Sequence, residues 1–170
     1  PLLGAWAEVA SMSVARSQHA AAVIDGKIYA IGGEDADGDD LVTVEAYDLQ
    51  ADSWQQVASM PHTRSKHAAI SMGGKIWVSG GVENGRGGGS TNTLIVFDPQ
   101  ANTWTELAGM GTSRIDHASA VIGGKLYVFG GYDSDGLRMA SVEAYDPTSN
   151  TWAQVSDLTT ARDAFVAVGI

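Results

Sequence analysis

Four arginines stand at regular intervals in this chain. Arg16, Arg64, Arg114 and Arg162 are separated by 48, 50 and 48 residues. Three of them open an Arg-x-x-His cluster, RSQH, RSKH and RIDH, so His19, His67 and His117 fall in the same register. A guanidinium is the side chain best suited to bidentate capture of a carboxylate. The four arginines are therefore candidate ligand contacts, with Ser17, Ser65 and Asp116 inside the same clusters as further candidates. The competing reading is that a residue repeated in every unit serves the unit itself, for instance by bonding loop carbonyls, and the repetition favours it. The histidines, one per unit, could share a metal only on a common axis. Repetition explains them without one, so neither a metal nor a cofactor is expected.

Nucleophilic chemistry finds little support. Ser17 and Ser65 lie two residues before His19 and His67, but no orienting acid is placed by the sequence. Asp116 beside His117 occurs once, and neither GxSxG nor HExxH is present. The run GRGGGST ends in no GKS or GKT and opens no helix, so it is not a phosphate loop. The acidic stretch from Glu34 to Asp40 resembles a calcium loop only superficially. Counted from Asp35, Gly38 stands fourth instead of sixth, and Ala46 occupies the twelfth place, where a bidentate Glu is needed.

Composition narrows the partners further. Ten Lys plus Arg against twenty Asp plus Glu give a formal charge of −10. Nucleic acid and anionic membrane surfaces require the opposite sign and are not expected partners. No apolar run approaches the ~20 residues of a membrane span. There is no Cys, which removes disulfides, thiolate metal sites and Cys nucleophiles, and leaves the compartment open. Pro1 and not Met opens the chain, with no leader before it, so a processed or excerpted sequence is expected.

The elements that must hold these residues are repeated with them. Trp6, Trp54, Trp104 and Trp152 keep the 48, 50, 48 spacing, and Gly32-Gly33, Gly80-Gly81 and Gly130-Gly131 follow at 48 and 50. Only the segment from each Gly doublet to Asp48, Asp98 or Asp146 changes length, at 15, 17 and 15 residues. Inside a unit, HAAAVI and KIYAI flank Asp25-Gly26, where the other units have Gly73-Gly74 and Gly123-Gly124. Such two-residue linkers predict type I′ hairpins. VTVEAY alternates as a half-buried strand, and a fourth run starts at each Trp and ends near Met60, Met110 or Leu158. Helical spacing is absent. The 21 glycines, well above the usual ~7%, belong to turns, doublets and one long loop.

Four strands every 48–50 residues, with the RSQH, RSKH and RIDH starts, the GKIY, GKIW and GKLY hairpins, the Gly doublet, the VEAYD strand and the terminal Trp, resemble the Kelch repeat. The resemblance covers essentially the whole chain. It implies an all-β propeller with the His strand innermost and the Trp strand outermost. Three complete blades are expected at about 17–58, 65–108 and 115–156, with residues 1–10 as the outer strand of a closing blade and 163–170 as the inner strand of a fourth. Since propellers close with 4–8 blades, this is an incomplete ring. It is expected to be finished by the missing remainder of a longer chain or by a homo-oligomer.

The resemblance also implies what such a segment does. In Kelch adaptors that bind acidic peptides, arginines just before the inner strand contact carboxylates, and Arg16, Arg64, Arg114 and Arg162 match those positions. The expected function is a non-catalytic scaffold that binds a protein or peptide through one face, where the loops before the inner strands meet the loops after the Gly doublets. Recognition is expected where the repeats differ, at Asp37, Asp39, Arg86, Asp135 and Arg138. Two alternatives stand beside it: a sugar-binding or sialic-acid mutarotase-like enzyme with a site in the channel, and a purely structural unit that assembles into a ring. The copper-radical oxidase branch of the family needs a Cys, which is absent.

Overall fold

The computed structural model describes residues 6–85 and 88–169. Each repeat becomes a four-stranded antiparallel sheet. The first comprises β1 (Ala20–Ile24), β2 (Lys27–Ile31), β3 (Val44–Asp48) and β4 (Ser53–Val57), paired in that order. The second repeat contains β5 (Arg64–Ser65), β6 (Ala68–Met72), β7 (Lys75–Ser79), β8 (Val82–Glu83), β9 (Leu94–Asp98) and β10 (Thr103–Leu107). Here β6, β7, β9 and β10 form the sheet, and β5 pairs with β8 as a short ribbon beside it. The third sheet runs β11 (Ala118–Ile122), β12 (Lys125–Phe129), β13 (Val142–Asp146) and β14 (Thr151–Val155). No helix occurs among the described residues, and so none long and apolar enough to cross a membrane.

Local chemistry sets these sheets. Asp25 and Gly26 both have positive φ, 50° and 74°, as a type I′ turn demands, and the Gly-Gly tips of the other two hairpins repeat it. Asp48, Asp98 and Asp146 each accept backbone N–H bonds two residues on, fixing the turn into the outermost strand. The strands that start at the Trp runs stop at Val57, Leu107 and Val155, before Met60, Met110 and Leu158. Met60 and Met110 leave the sheets as buried plugs.

The core lies between sheets and not within one. Ile24, Tyr29, Ile31 and Val44 of the first sheet pack on Ile76, Val78, Ile95 and Phe97 of the second. Leu94, Trp77 and Leu107 of the second likewise meet Leu126, Tyr145 and Trp152 of the third. A backbone latch reinforces each contact. The indole N–H of Trp54, Trp104 and Trp152 donates to the carbonyls of Ala10, Ala58 and Ala108. The N–H groups of those same alanines donate to the side chains of Asp52, Asn102 and Asn150. Each blade thus grips both polar groups of one residue in the blade before it.

Residues 6–10 and 163–169 do not form the outer and inner strands expected of them. A strand needs a ladder partner, and neither segment pairs with a described strand, although Gly169 lies against Val121 of β11. Ala10 is latched as Ala58 and Ala108 are, and Phe165 takes the place of the next His, its ring 3.3 Å from where a Gly130 Cβ would lie.

Candidate functional site

The loops before the inner strands and the loops after the Gly doublets meet at one end of the stack. Ser17 bridges to Glu34, β5 pairs with β8, and Ile115 bridges to Tyr132. This end contains every described position singled out from the sequence, and it sorts them into two groups.

The repeated arginines belong to the scaffold. The side chains of Arg16, Arg64 and Arg114 are 0% exposed. Arg114 donates to the carbonyls of Gly130 and Ser141 at 2.9 and 3.0 Å, and to the Glu143 carboxylate at 2.9 Å. Arg16 makes the corresponding bonds to Gly32, Thr43 and Glu45. The expectation that these three contact a ligand is corrected. Their terminal Nη1 and Nη2 groups bond buried acceptors of their own blade, while each Nε is buried without a partner, and a buried guanidinium must stay paired. Arg162, whose blade is not built, is exposed, its guanidinium 5.9 Å from the Phe165 ring.

The second blade solves the same electrostatic problem differently. Glu45 and Glu143 each accept a backbone N–H with the other carboxylate oxygen, from Ser13 and Gly111. The matching residue in the second blade is Pro61, which has no N–H to give. There the strand position of Glu45 and Glu143 is Ile95, and the counter-charge comes from Glu83 in the following loop, with Thr93 bonding both Arg64 and Glu83. Burial would push the Glu45 carboxyl up, but the Ser13 N–H and hydroxyl and Arg16 together hold it below the usual carboxylate range.

His67 and His117 are packing groups, whereas His19 is exposed. The His117 ring lies 2.7 Å from where a Gly80 Cβ would stand, which requires glycine there, and its Nε2 shares a hydrogen bond with Ser79. His67 fills the same place against Gly32, opposite Ile31. Burial, with Arg64 and Arg114 nearby, pushes both imidazoles down to about 3. Among the described residues no three His, Cys, Asp or Glu side chains converge as a metal site.

Of the channel lining only Asp116 and the histidines stand out in the sequence. The residue before each of His19, His67, His117 and Phe165 is left-handed: Gln18, Lys66, Asp116 and Ala164 have φ of 52°, 54°, 53° and 49°. The Lys66 N–H donates to the Gln18 carbonyl, Asp116 to Lys66 and Ala164 to Asp116, at 3.0, 3.0 and 2.9 Å. A chain of backbone hydrogen bonds thus runs around the axis and joins the blades. Only the variety of types at that position, Gln, Lys, Asp and Ala, hints that it faces outward. The hollow above it measures ≈ 200 Å³, lined by Lys66, Asp116 and the histidines. Typical ligand pockets hold roughly 300–1,000 Å³. Burial raises the Asp116 carboxyl, with Lys66 opposing and Asp163 reinforcing the rise.

What remains exposed is the variable set. Asp37 and Asp39 form the tip of the first loop, their N–H groups capped by the Asp35 carboxylate. Asp135 is exposed and held by Asp133 in the same way. Arg138 reaches Asp163 at 2.5 Å and lies over the Tyr132 ring. Ser17 is exposed but engages Glu34 through its backbone, whereas Ser65 is buried and not available to a ligand. Arg86 lies outside the described residues.

Repeated four-stranded sheets stacked through inter-blade cores, each anchored by a buried Arg, define a Kelch-type β-propeller segment. The comparisons agree. The model of the KLHDC2/KLHL20/DRC7 Kelch-repeats domain matches residues 6–167, and the chain belongs to the Kelch-repeat family. It is 39% identical over 46 residues to an Arabidopsis thaliana F-box/kelch-repeat protein, a match covering 27% of this chain and 12% of that one. The solved structure of YjhT superposes with a TM-score of 0.80 at 22% identity. That match covers 94% of this chain and 57% of YjhT, so the chain spans little more than half the length of that neighbour. Protein-binding scaffolds are typical of the family.

Proposed function

We propose that this chain presents its loop end as a recognition surface for a protein or peptide, and that the preferred partner segment is basic. One observation carries the reading: at this end alone the three repeats differ in length, and the loops there carry different charges. Unequal loops on a rigid repeated frame are where binding specificity resides. Arg16, Arg64 and Arg114, which would favour an acidic ligand, face into their own blades, and this supports a basic partner. The described surface charges on this end include Glu34, Asp35, Asp37, Asp39, Asp40, Asp116, Asp133, Asp135 and Asp163, against Lys66, Arg138 and Arg162. Complementary charge steers association and selects the partner's sign.

Binding of matched Lys/Arg-rich and Asp/Glu-rich peptides, measured by calorimetry at two salt concentrations, tests this. The basic peptide should bind more tightly, lose affinity with salt, and weaken in D37N/D39N, whose melting should be unchanged. Equal binding of both peptides, or no effect of the double variant, would refute it.

A further inference from the structure

The second-blade loop contains chemistry that recognition does not use. Asn84 is followed by Gly85, while the other three asparagines, Asn92, Asn102 and Asn150, are each followed by Thr. Asn84 is exposed, and its side chain has no hydrogen bond among the described residues. The other three amides are engaged. Asn102 accepts from the Ala58 N–H, Asn150 from the Ala108 N–H and the Tyr145 hydroxyl, and Asn92 donates to the Met110 carbonyl. Around Gly85 the space is open: a Cβ there would touch nothing within 4 Å, and its N–H makes no bond to a described residue. By contrast, a branched Thr side chain shields the backbone nitrogen that follows each of the other asparagines.

We propose that Asn84-Gly85 is a covalent modification site, where the chain rearranges without an enzyme and in doing so loosens the buried Arg64. The Gly85 nitrogen attacks the Asn84 side-chain carbonyl. A C–N bond forms, the amide C–N bond breaks, and ammonia leaves carrying the Gly85 proton. Water then opens the resulting five-membered imide at either carbonyl, giving aspartate or isoaspartate. The isoaspartate product carries one additional methylene in the main chain, immediately after Glu83. Asparagine is among the thermolabile residues for this kind of reason. The position matters because Glu83 supplies the carboxylate for Arg64, Ile95 standing where the other blades have Glu. Glu83 is also half of the β5–β8 pair and donates its N–H to Gly89 across the loop. Lengthening the backbone beside it shifts that carboxylate away from a guanidinium that is 0% exposed.

Ageing the full chain at mildly alkaline pH, followed by peptide mapping by mass spectrometry, tests the assignment. A urea-unfolded sample aged in parallel supplies the intrinsic rate at each asparagine. Conversion at Asn84 should match that unfolded rate in the folded protein, while Asn92, Asn102 and Asn150 convert many-fold more slowly than when unfolded. Protection of Asn84 equal to that of the other three would overturn the site. Separating the aged product by ion exchange and melting it tests the consequence. Its midpoint should fall below that of fresh protein, whereas Asn84→Ser, which has no amide to cyclise, should keep the fresh midpoint through ageing. An aged product that melts with the fresh protein would overturn the coupling to Arg64.

Discussion

Replacing Glu143 with Ala isolates the energetics of the arginine column. In the folded chain the Arg114 guanidinium is 0% exposed, and Glu143 accepts from it at 2.9 Å while its other oxygen accepts the Gly111 N–H at 2.6 Å. The substitution leaves a buried cation with neutral acceptors only, the Gly130 and Ser141 oxygens. It also removes the acceptor of the Gly111 N–H. Breaking such a pair from one side costs about 3–5 kcal/mol. In a chain of this size that is a fall in melting midpoint of roughly 6–20 °C. The assay is calorimetric melting at neutral pH and two salt concentrations. Salt should change the loss little, because a buried pair is poorly screened. Lys125→Ala is the internal control. Its ammonium lies 2.9 Å from Asp146 but is 47% exposed, and surface pairs of this kind contribute little. If E143A drains too much stability to refold, E143Q removes the charge while keeping one of the two acceptor oxygens. A second arm transplants the other blade's solution. E143I should be as damaging as E143A, and adding D133E with S141T, which recreates Glu83 and Thr93, should recover part of the loss. An E143A midpoint within that of K125A would refute the assignment of these arginines to the scaffold.

The two buried histidines make the fold acid-sensitive before its carboxylates do. Their folded pKa values of about 3 lie below the ordinary 6.5, so they contribute fully above 6.5 and lose that contribution as pH falls toward 3. Two such groups give a slope of up to about 2.7 kcal/mol per pH unit in that window. Melting against pH should show it, and H67F, copying Phe165 in the same position, should flatten the curve; an unchanged slope would contradict the burial of His67. Glycine substitutions separate backbone strain from crowding. Gly74→Ala meets only its left-handed φ of 73° and should cost about 1–2 kcal/mol. Gly80→Ala adds a contact 2.5 Å from the Arg114 carbonyl and should cost about 2–5 kcal/mol. Equal losses in urea titrations would contradict the close approach of the blades.

The blades were readable because their determinants are local. Asp25-Gly26 and the Gly-Gly pairs need only their own φ angles to make a hairpin, and the acidic turn residues cap N–H groups two positions away. Repetition then showed what a single copy would have hidden, that these columns hold one register. The roles of the columns were less readable. Nothing in RSQH or RIDH says whether the guanidinium points at solvent or at a carboxylate. The decisive partners, Glu45 and Glu143, lie 29 residues further along the chain, beyond the reach of any local pattern. One signal was present but went unread: the Glu of VEAYD recurs in the first and third blades and turns to Ile95 in the blade where Pro61 removes the N–H it would accept.

By itself, then, the sequence determined the repeat, the strands, the hairpin chirality and the loop that varies, all set within a few residues. Only the tertiary structure decided which way the arginines face, that His67 and His117 are spacers between blades, and that the exposed end is acidic. Those properties depend on neighbouring blades. A charge placed beside a backbone carbonyl of its own blade is hidden or displayed according to what packs over it, and that is fixed only when the sheets stack.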